Sequence, residues 1–358
     1  MCKATLGCTL LLLAAAAARA DVSVVERRTL EKQIVVKTEG GKLKPRAPRR
    51  AGSRAAGERG GLHFAAEPAV GSVNLADASG FELFLNSDVS FTTSSSASGA
   101  ASEAIYIGPV QATTVGGGVT ASTLSDAFDG YNGLCLSSAG GLGPCSSGDP
   151  GLTIYNDNGP GTLECNGRQL ALNPQTVGSL TVRRKVLVPG NGEFARWMNI
   201  LTNTGGAAVT VNLITSNNLG SDSDTVVVSS SDGDAVAETS DTWVTTFQDY
   251  GGTISTDPRL GHVLRGAGAP VGLAGVTFVN GDDNPFWSYS VTLAPGQTGI
   301  ILNFVTGQPS KAEAAAKASE LAGLPPNALQ CMSPAEQGQV LNFLTAAQGV
   351  VEVPTASE

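Results

Sequence analysis

One histidine, His262, stands in the body of this 358-residue chain, so a catalytic triad or a histidine-based metal centre would have to be built on it. Its surroundings, Asp257-Pro258-Arg259-Leu260-Gly261-His262-Val263, read as a turn entering a strand, the setting of a structural or surface histidine rather than a general base. The other histidine is His63, and no Cys-x-x-Cys spacing accompanies the pair, so zinc is not expected. Carboxylates are denser. Asp222 and Asp224, Asp232 and Asp234, and Asp241 stand in Gly/Ser-rich loops, where side chains two apart can gather the oxygen ligands a hard cation needs. No Gly follows the first pair and no Glu closes the loop as in an EF-hand. Solvated acidic turns are therefore expected and no cofactor is assigned, calcium being the one cation the pattern could take.

Glu164, Glu193, Asp249 and Asp282 could serve as acid and base on a glycan if folding paired two of them, but spacing privileges none. Trp197, Trp243 and Trp287 sit among apolar neighbours, which predicts core packing in preference to a platform for sugar rings. The chain lacks His-Glu-x-x-His, Gly-x-Ser-x-Gly, an Asp-Thr-Gly or Asp-Ser-Gly pair and a Gly-rich phosphate loop. No catalytic, cofactor-binding or metal-binding residue follows from these patterns.

Four cysteines, Cys135, Cys145, Cys165 and Cys331, lie beyond an N-terminal leader that also carries Cys2 and Cys8. The leader has Lys3, an apolar run from Leu10 and the small-x-small site Ala18-Arg19-Ala20, so residues 1–20 read as a signal peptide too short to span a bilayer. Four cysteines in an exported chain predict two disulfides. Three connectivities are open, and the pairs expected are Cys135–Cys145, stapling a Gly/Ser-rich excursion, and Cys165–Cys331, tying the C-terminal segment to the sheets.

Charge divides the remainder. Residues 21–68 hold 11 Lys and Arg against 6 acids, whereas residues 69–358 hold 9 against 25. So acidic a body repels polyanions, which excludes nucleic acid as its main partner. The basic stretch GGKLKPRAPRRAGSRAAGERGG has too few apolar residues to offset its ordering entropy, so residues 21–68 read as a disordered arm or linker. It is a solubilising spacer or, alternatively, an attachment to an anionic envelope surface.

The elements that must position all these groups are strands. Runs of β-type residues occur at 81–87, 89–93, 104–108, 152–155, 179–189, 194–203, 207–217, 225–230, 241–247, 275–281, 286–294 and 298–305. Turn sequences at Pro189-Gly190-Asn191-Gly192, Asn203-Thr204-Gly205-Gly206 and Pro295-Gly296-Gln297 predict antiparallel hairpins. The stretch 131–150 reads as a loop at an edge or rim. In 207–217, Val209, Val211 and Leu213 face one way while Thr210, Asn212 and Ile214 face the other. Residues 69–308 are thus expected to form a large antiparallel all-β sandwich of two sheets. A C-terminal helical segment, 309–358, follows: Ser310 caps KAEAAAKASELA before Gly323, and Ser333-Pro334-Ala335-Glu336 opens a second helix with Val340, Leu341 and Leu344 as its apolar stripe.

The motifs DAFDGYNGL (126–134), GRQLALNPQTVGSLTVRRKVLVP (167–189), FARWMNILTNTG (194–205), NNLGSDSDT (217–225), DTWVTTFQD (241–249), DPRLGHVLRGAGAP (257–270) and PGQTGIILNF (295–304) resemble a β-rich module of secreted bacterial proteins. That module often stands beside immunoglobulin-like or PKD-type repeats on large surface proteins. More distantly, the two-sheet layout is similar to the supersandwich of galactose-mutarotase-like and glycosidase accessory domains. The resemblance implies a non-enzymatic structural, adhesion or polymer-binding module located in the periplasm, on the cell surface or outside the cell. Its partners would be extracellular polysaccharide or envelope proteins. The alternative it implies is a carbohydrate-active enzyme or glycan-binding accessory domain.

Overall fold

In the computed structural model the described residues are 36–39, 42–45, 72–78, 81–86, 99–112, 119–138, 151–156, 161–248 and 259–349. The leader, His63, Cys145, Asp249 and most of the basic segment fall outside them. In chain order the first strands are β1 (Val36–Glu39), β2 (Lys42–Pro45), β3 (Ser72–Ala76), β4 (Phe81–Asn86), β5 (Ala101–Ala112), β6 (Val119–Ala127), β7 (Gly130–Ser137), β8 (Leu152–Ile154), β9 (Thr162–Glu164) and β10 (Gln169–Ala171). They continue with β11 (Gln175–Val177), β12 (Leu180–Leu187), β13 (Phe194–Asn203), β14 (Val209–Asn218), β15 (Thr225–Ser230), β16 (Trp243–Gln248), β17 (Arg259–Val263), β18 (Gly275–Val279), β19 (Asp282–Leu293) and β20 (Thr298–Gln308).

The chain is an antiparallel all-β sandwich with a short helical segment. One sheet has the order β15-β16-β17-β20-β13-β12-β10-β9, with β11 also against β12. The other runs β18-β19-β14-β7-β5-β4-β3, with β6 against β5 and β8 against β7, while β1 and β2 form a two-stranded sheet. Alternation sets the inner faces: Val182 and Val186 of β12, Trp197 and Leu201 of β13, Val211 and Leu213 of β14, and Trp287, Tyr289 and Val291 of β19 all meet in the core between the sheets.

Two of the three expected hairpins are corrected. Pro189–Gly192 does join paired strands, β12 and β13, but β13 and β14 belong to different sheets, as do β19 and β20. The turns at 203–206 and 295–297 therefore carry the chain across the sandwich. Asn203 fastens them together: its amide donates to the Ala207 and Leu293 carbonyls, its backbone N–H donates to Gln297 and its carbonyl accepts from Gly296. Turn chemistry marks where a chain reverses and leaves open which layer it enters. The expected loop from residue 131 is corrected as well. Its first part is β7, buried along its whole length between β14 and β5. Gly130 and Gly133, with Asn132 in the left-handed region at φ 62°, interrupt the period of two that would have shown it.

The outer face of the first sheet carries the C-terminal segment. Helix α1 (Lys311–Ala322) opens on Ser310, whose hydroxyl accepts from the Glu313 N–H, and α2 (Pro334–Gly338) opens on a reciprocal Ser333/Glu336 capping box. Phe194, Met198, Val263, Ile300, Leu302 and Phe304 of the sheet bury against Ala318, Leu321, Ala328, Met332, Val340 and Phe343. The second helix stops at Gly338, so the predicted stripe is not helical. Val340 instead bridges to Ile300 of β20, and Leu344 is 58% exposed. Asn342 completes the join, accepting from Leu302 N–H and donating to the Leu302 and Leu264 carbonyls.

Gly261 of β17 sets how closely α1 approaches. A Cβ there would stand 2.9 Å from Thr306 Cγ2, 3.0 Å from the Ala314 carbonyl oxygen and 3.1 Å from Ala318 Cβ. Gly261→Ala is expected to push α1 off the sheet and cost about 2 kcal/mol, as overpacking does. Urea unfolding would show a lower midpoint; an unchanged one would mean that the helix yields freely.

Candidate functional site

His262 occupies the middle of β17, opposite Val244 of β16 and Val305 of β20, and its side chain enters the core. It is 0% exposed. The Tyr131 hydroxyl lies 2.8 Å from Nδ1 and the Thr246 hydroxyl 2.9 Å from Nε2, so each sheet supplies a neighbour: β7 through Tyr131 and β16 through Thr246. A neutral imidazole offers one donor and one acceptor, which two hydroxyls satisfy completely. Phe278, Tyr131 and Trp287 pack around the ring in tilted orientations at centroid distances of 5.3, 5.5 and 6.5 Å. Burial among these apolar rings pushes the imidazole down to about 3 and the Tyr131 phenol well above its usual value, so both are neutral at pH 7. Such a pair joins the two layers; no solvent-facing atom is left for proton transfer with a substrate.

Beside it lies a polar group that the motifs did not single out. Arg184 of β12 is fully buried, and the guanidinium edge that ordinarily grips a carboxylate faces two carboxamides. Its Nε donates to Asn199 Oδ1 at 2.8 Å, within the same sheet, and its Nη2 donates to Asn132 Oδ1, across the sandwich. Burial pulls this guanidinium down to about 9, so at pH 7 a cation sits between the sheets. Arg196 of β13 is equally buried but faces outward, donating to the carbonyls of Ala328 and Gln330 and to Gln169 Oε1. Burial lowers it to about 9 as well, with Glu336 acting in the opposite sense. The alternation that turns Val182 and Val186 inward also turns Arg184 inward, so its burial was legible in the pattern, though its partners were not.

The carboxylates proposed for acid–base work are dispersed. Glu164 on β9 lies 3.5 Å from Arg183 and 3.3 Å from Lys185. Glu193 follows the β12–β13 turn and accepts from Gln308 at 3.2 Å. Asp282 begins β19 and accepts from the backbone and side chain of Asn284. In the acidic loops, Asp232 and Asp234 accept from the Ser230 hydroxyl, and buried Asp241 accepts from the Ser231 hydroxyl and the Glu238 N–H. The Ser230 hydroxyl and the Asp234 amide hold Asp232 below the usual carboxylate range. Among the described residues no three His, Cys, Asp or Glu side chains come together as a metal site. Trp197 and Trp287 are 0% exposed, and Trp243 packs partly buried against the helical core, so none of the three forms an open platform.

Cys165, which ends the β9 hairpin, and Cys331, which precedes α2, are joined in a disulfide with Cα atoms 6.0 Å apart. Around it, Lys185 bridges Glu164 at 3.3 Å and Glu336 at 3.0 Å. Burial pushes the Glu336 carboxyl up, but the Ser333 N–H and Lys185 outweigh it and hold the carboxyl below its usual range. Cys135 is also disulfide-bonded, to a partner outside the described residues.

No protein-family model matches the chain, and no curated protein does. Solved structures align with it at low identity. They include a polysaccharide lyase (10% identity, TM-score 0.36, 61% of this chain and 34% of that one) and a bacterial glucoamylase complexed with acarbose (10%, 0.38, 80% and 37%). A galactose mutarotase-like protein from Lactobacillus casei is a third (8%, 0.35, 66% and 99%). The chain thus spans little more than a third of the first two. Among the described residues no helix is long and apolar enough to cross a membrane.

Proposed function

We propose that this chain is an exported, non-enzymatic β-sandwich module of a bacterial envelope or exterior, with a structural or polymer-binding role. One observation carries the reading: His262, the sole imidazole of the body, is sealed in the core between Tyr131 and Thr246, where it joins the two sheets and meets no solvent. The described carboxylates support the same reading, since Glu164, Glu193 and Asp282 stand on separate turns and edges and are held by their own neighbours. The Cys165–Cys331 disulfide fits an oxidising compartment.

The test is to present the purified protein to an array of glycans and cell-wall polymers, with calcium and with chelator, and to assay every polymer for cleavage products. No product is expected from any of them, and calcium should change nothing. Retention on one polymer would give the role as polymer binding, and retention on none would give it as structural. Release of sugar products that stops when Glu193 or Asp282 is replaced by its amide would overturn the proposal in favour of a carbohydrate-active enzyme.

A further inference from the structure

Five fully buried polar atoms between the sheets have no hydrogen-bond partner among the described residues: Asn132 Nδ2, Asn199 Nδ2, Thr215 Oγ1, Trp287 Nε1 and Asn303 Oδ1. Their orientations are forced. Arg184 has only N–H groups to offer, and it donates to the Oδ1 of both Asn132 and Asn199, which leaves both amide nitrogens turned elsewhere. The Tyr289 hydroxyl gives its proton to the Leu264 carbonyl and so accepts from Asn303 Nδ2 at 2.7 Å, which leaves Asn303 Oδ1 as the group to be satisfied. Flipping Asn132 or Asn199 would set donor against donor, and flipping Asn303 would draw the Tyr289 proton away from the Leu264 carbonyl.

The register gathers these atoms in one zone. Thr215 of β14 is directly opposite Trp287 of β19. Thr215 shares the inward face with core residues Val211 and Leu213. Arg184 ties Asn132 to Asn199 across the sandwich, and in the facing sheet Asn199 and Asn303 stand diagonally on neighbouring β13 and β20, since Asn199 is opposite Ile301 and Trp197 opposite Asn303. The Tyr131 ring packs beside both sheets there, 5.4 Å from Trp197 and 6.1 Å from Trp287 between ring centroids.

We infer that the seam between the two sheets beside Arg184 is a binding site for a small cluster of buried water molecules that join Asn132, Asn199, Thr215, Trp287 and Asn303. Left dry, five such groups would together cost as much as the net stability of a typical domain. The chemistry selects the occupant. Three N–H donors need lone pairs, while the Asn303 oxygen needs a donor and the Thr215 hydroxyl takes either role; water supplies both kinds of group. A halide would satisfy the donors but would be repelled by the Asn303 carbonyl oxygen, and an apolar occupant would satisfy neither.

Thr215→Val distinguishes a hydrated seam from a dry one, because it removes the hydroxyl at nearly constant shape. If water bonds that hydroxyl, the folding equilibrium constant should fall roughly five-fold, a loss on the scale of one hydrogen bond, and the urea midpoint should move down with an unchanged slope. If the seam is dry, deleting an unsatisfied polar group leaves stability the same or raises it, and the inference fails. A crystal of the full chain soaked in bromide supplies the second reading. Ordered solvent peaks within hydrogen-bond distance of the five atoms, without anomalous signal, are expected. A bromide peak at that position, or a seam without ordered solvent, would overturn the assignment.

Discussion

Acidification from pH 7 to pH 4 should destabilise the wild-type chain by about 3 kcal/mol more than it destabilises a His262→Gln variant. Burial holds the His262 pKa at about 3 in the folded chain, against the ordinary value of 6.5 in the unfolded one. A depressed folded value means that the unfolded state binds the proton first. The contribution to stability is therefore complete above pH 6.5 and is lost as the pH falls through 6.5 towards 3. Other carboxylates and the two buried arginines titrate equally in both proteins, so the difference between the two curves isolates the imidazole. Gln can still exchange hydrogen bonds with Tyr131 and Thr246 but carries no titrating proton, so at neutral pH the substitution should cost only about 1–2 kcal/mol. Urea unfolding of both proteins between pH 7.5 and 4 is the measurement. Curves that converge as the pH falls and cross at about pH 5, leaving the variant the more stable at about pH 4, support a sealed, neutral histidine. Parallel curves would mean that the proton reaches His262 in the folded chain, and the non-enzymatic reading would lose its main support.

Much of this architecture was legible because alternation is a local signal. Strands β13 and β15 occupy the predicted residues 194–203 and 225–230, and the Ser310 and Ser333 caps open their helices at the predicted positions. The losses have physical causes. Strands of three residues, such as β9, β10 and β11, are too short for a period of two to declare itself, and β7 is broken up by its two glycines. Layer assignment is non-local. Nothing within Asn203–Gly206 encodes that β14 pairs with β7 and β19 rather than with β13, because that choice depends on strands up to 80 or so residues away. The polar interior was hidden for a related reason. Parity shows that Arg184 and Asn199 face inward, yet only the facing sheet shows that Asn132 meets them. Candidate catalytic residues were chosen by type, and folding separated them: His262 went to the core, Glu164 to one edge, and Glu193 and Asp282 to turns.

Arg196→Met should cost about 3 kcal/mol and loosen the whole C-terminal segment. The guanidinium serves three acceptors at once, the Ala328 and Gln330 carbonyls and Gln169 Oε1, and Met keeps the bulk of the stem while leaving the buried Ala328 carbonyl and Gln169 Oε1 without this donor. The residue beyond Gln330 is Cys331, whose disulfide to Cys165 closes a sequence separation of 166 residues. Replacing both cysteines with Ser should cost about 4 kcal/mol, chiefly by freeing the unfolded chain. Arg196 and the disulfide hold the same short stretch, 328–331, against the same hairpin, so their effects are coupled. Once either is gone the stretch is already displaced, and the second loss removes less. The triple variant is accordingly expected to fall short of the sum of the separate costs by about 1 kcal/mol or more. Hydrogen exchange separates this clamp from a general weakening: amides of 311–348 should lose protection in each variant before those of β12 and β14, since the apolar seal between the first sheet and the helices rests on that anchored loop. Strict additivity, with protection lost evenly across both sheets, would show that the segment is held by its apolar contacts alone and that the buried cation serves only the sheet it stands on.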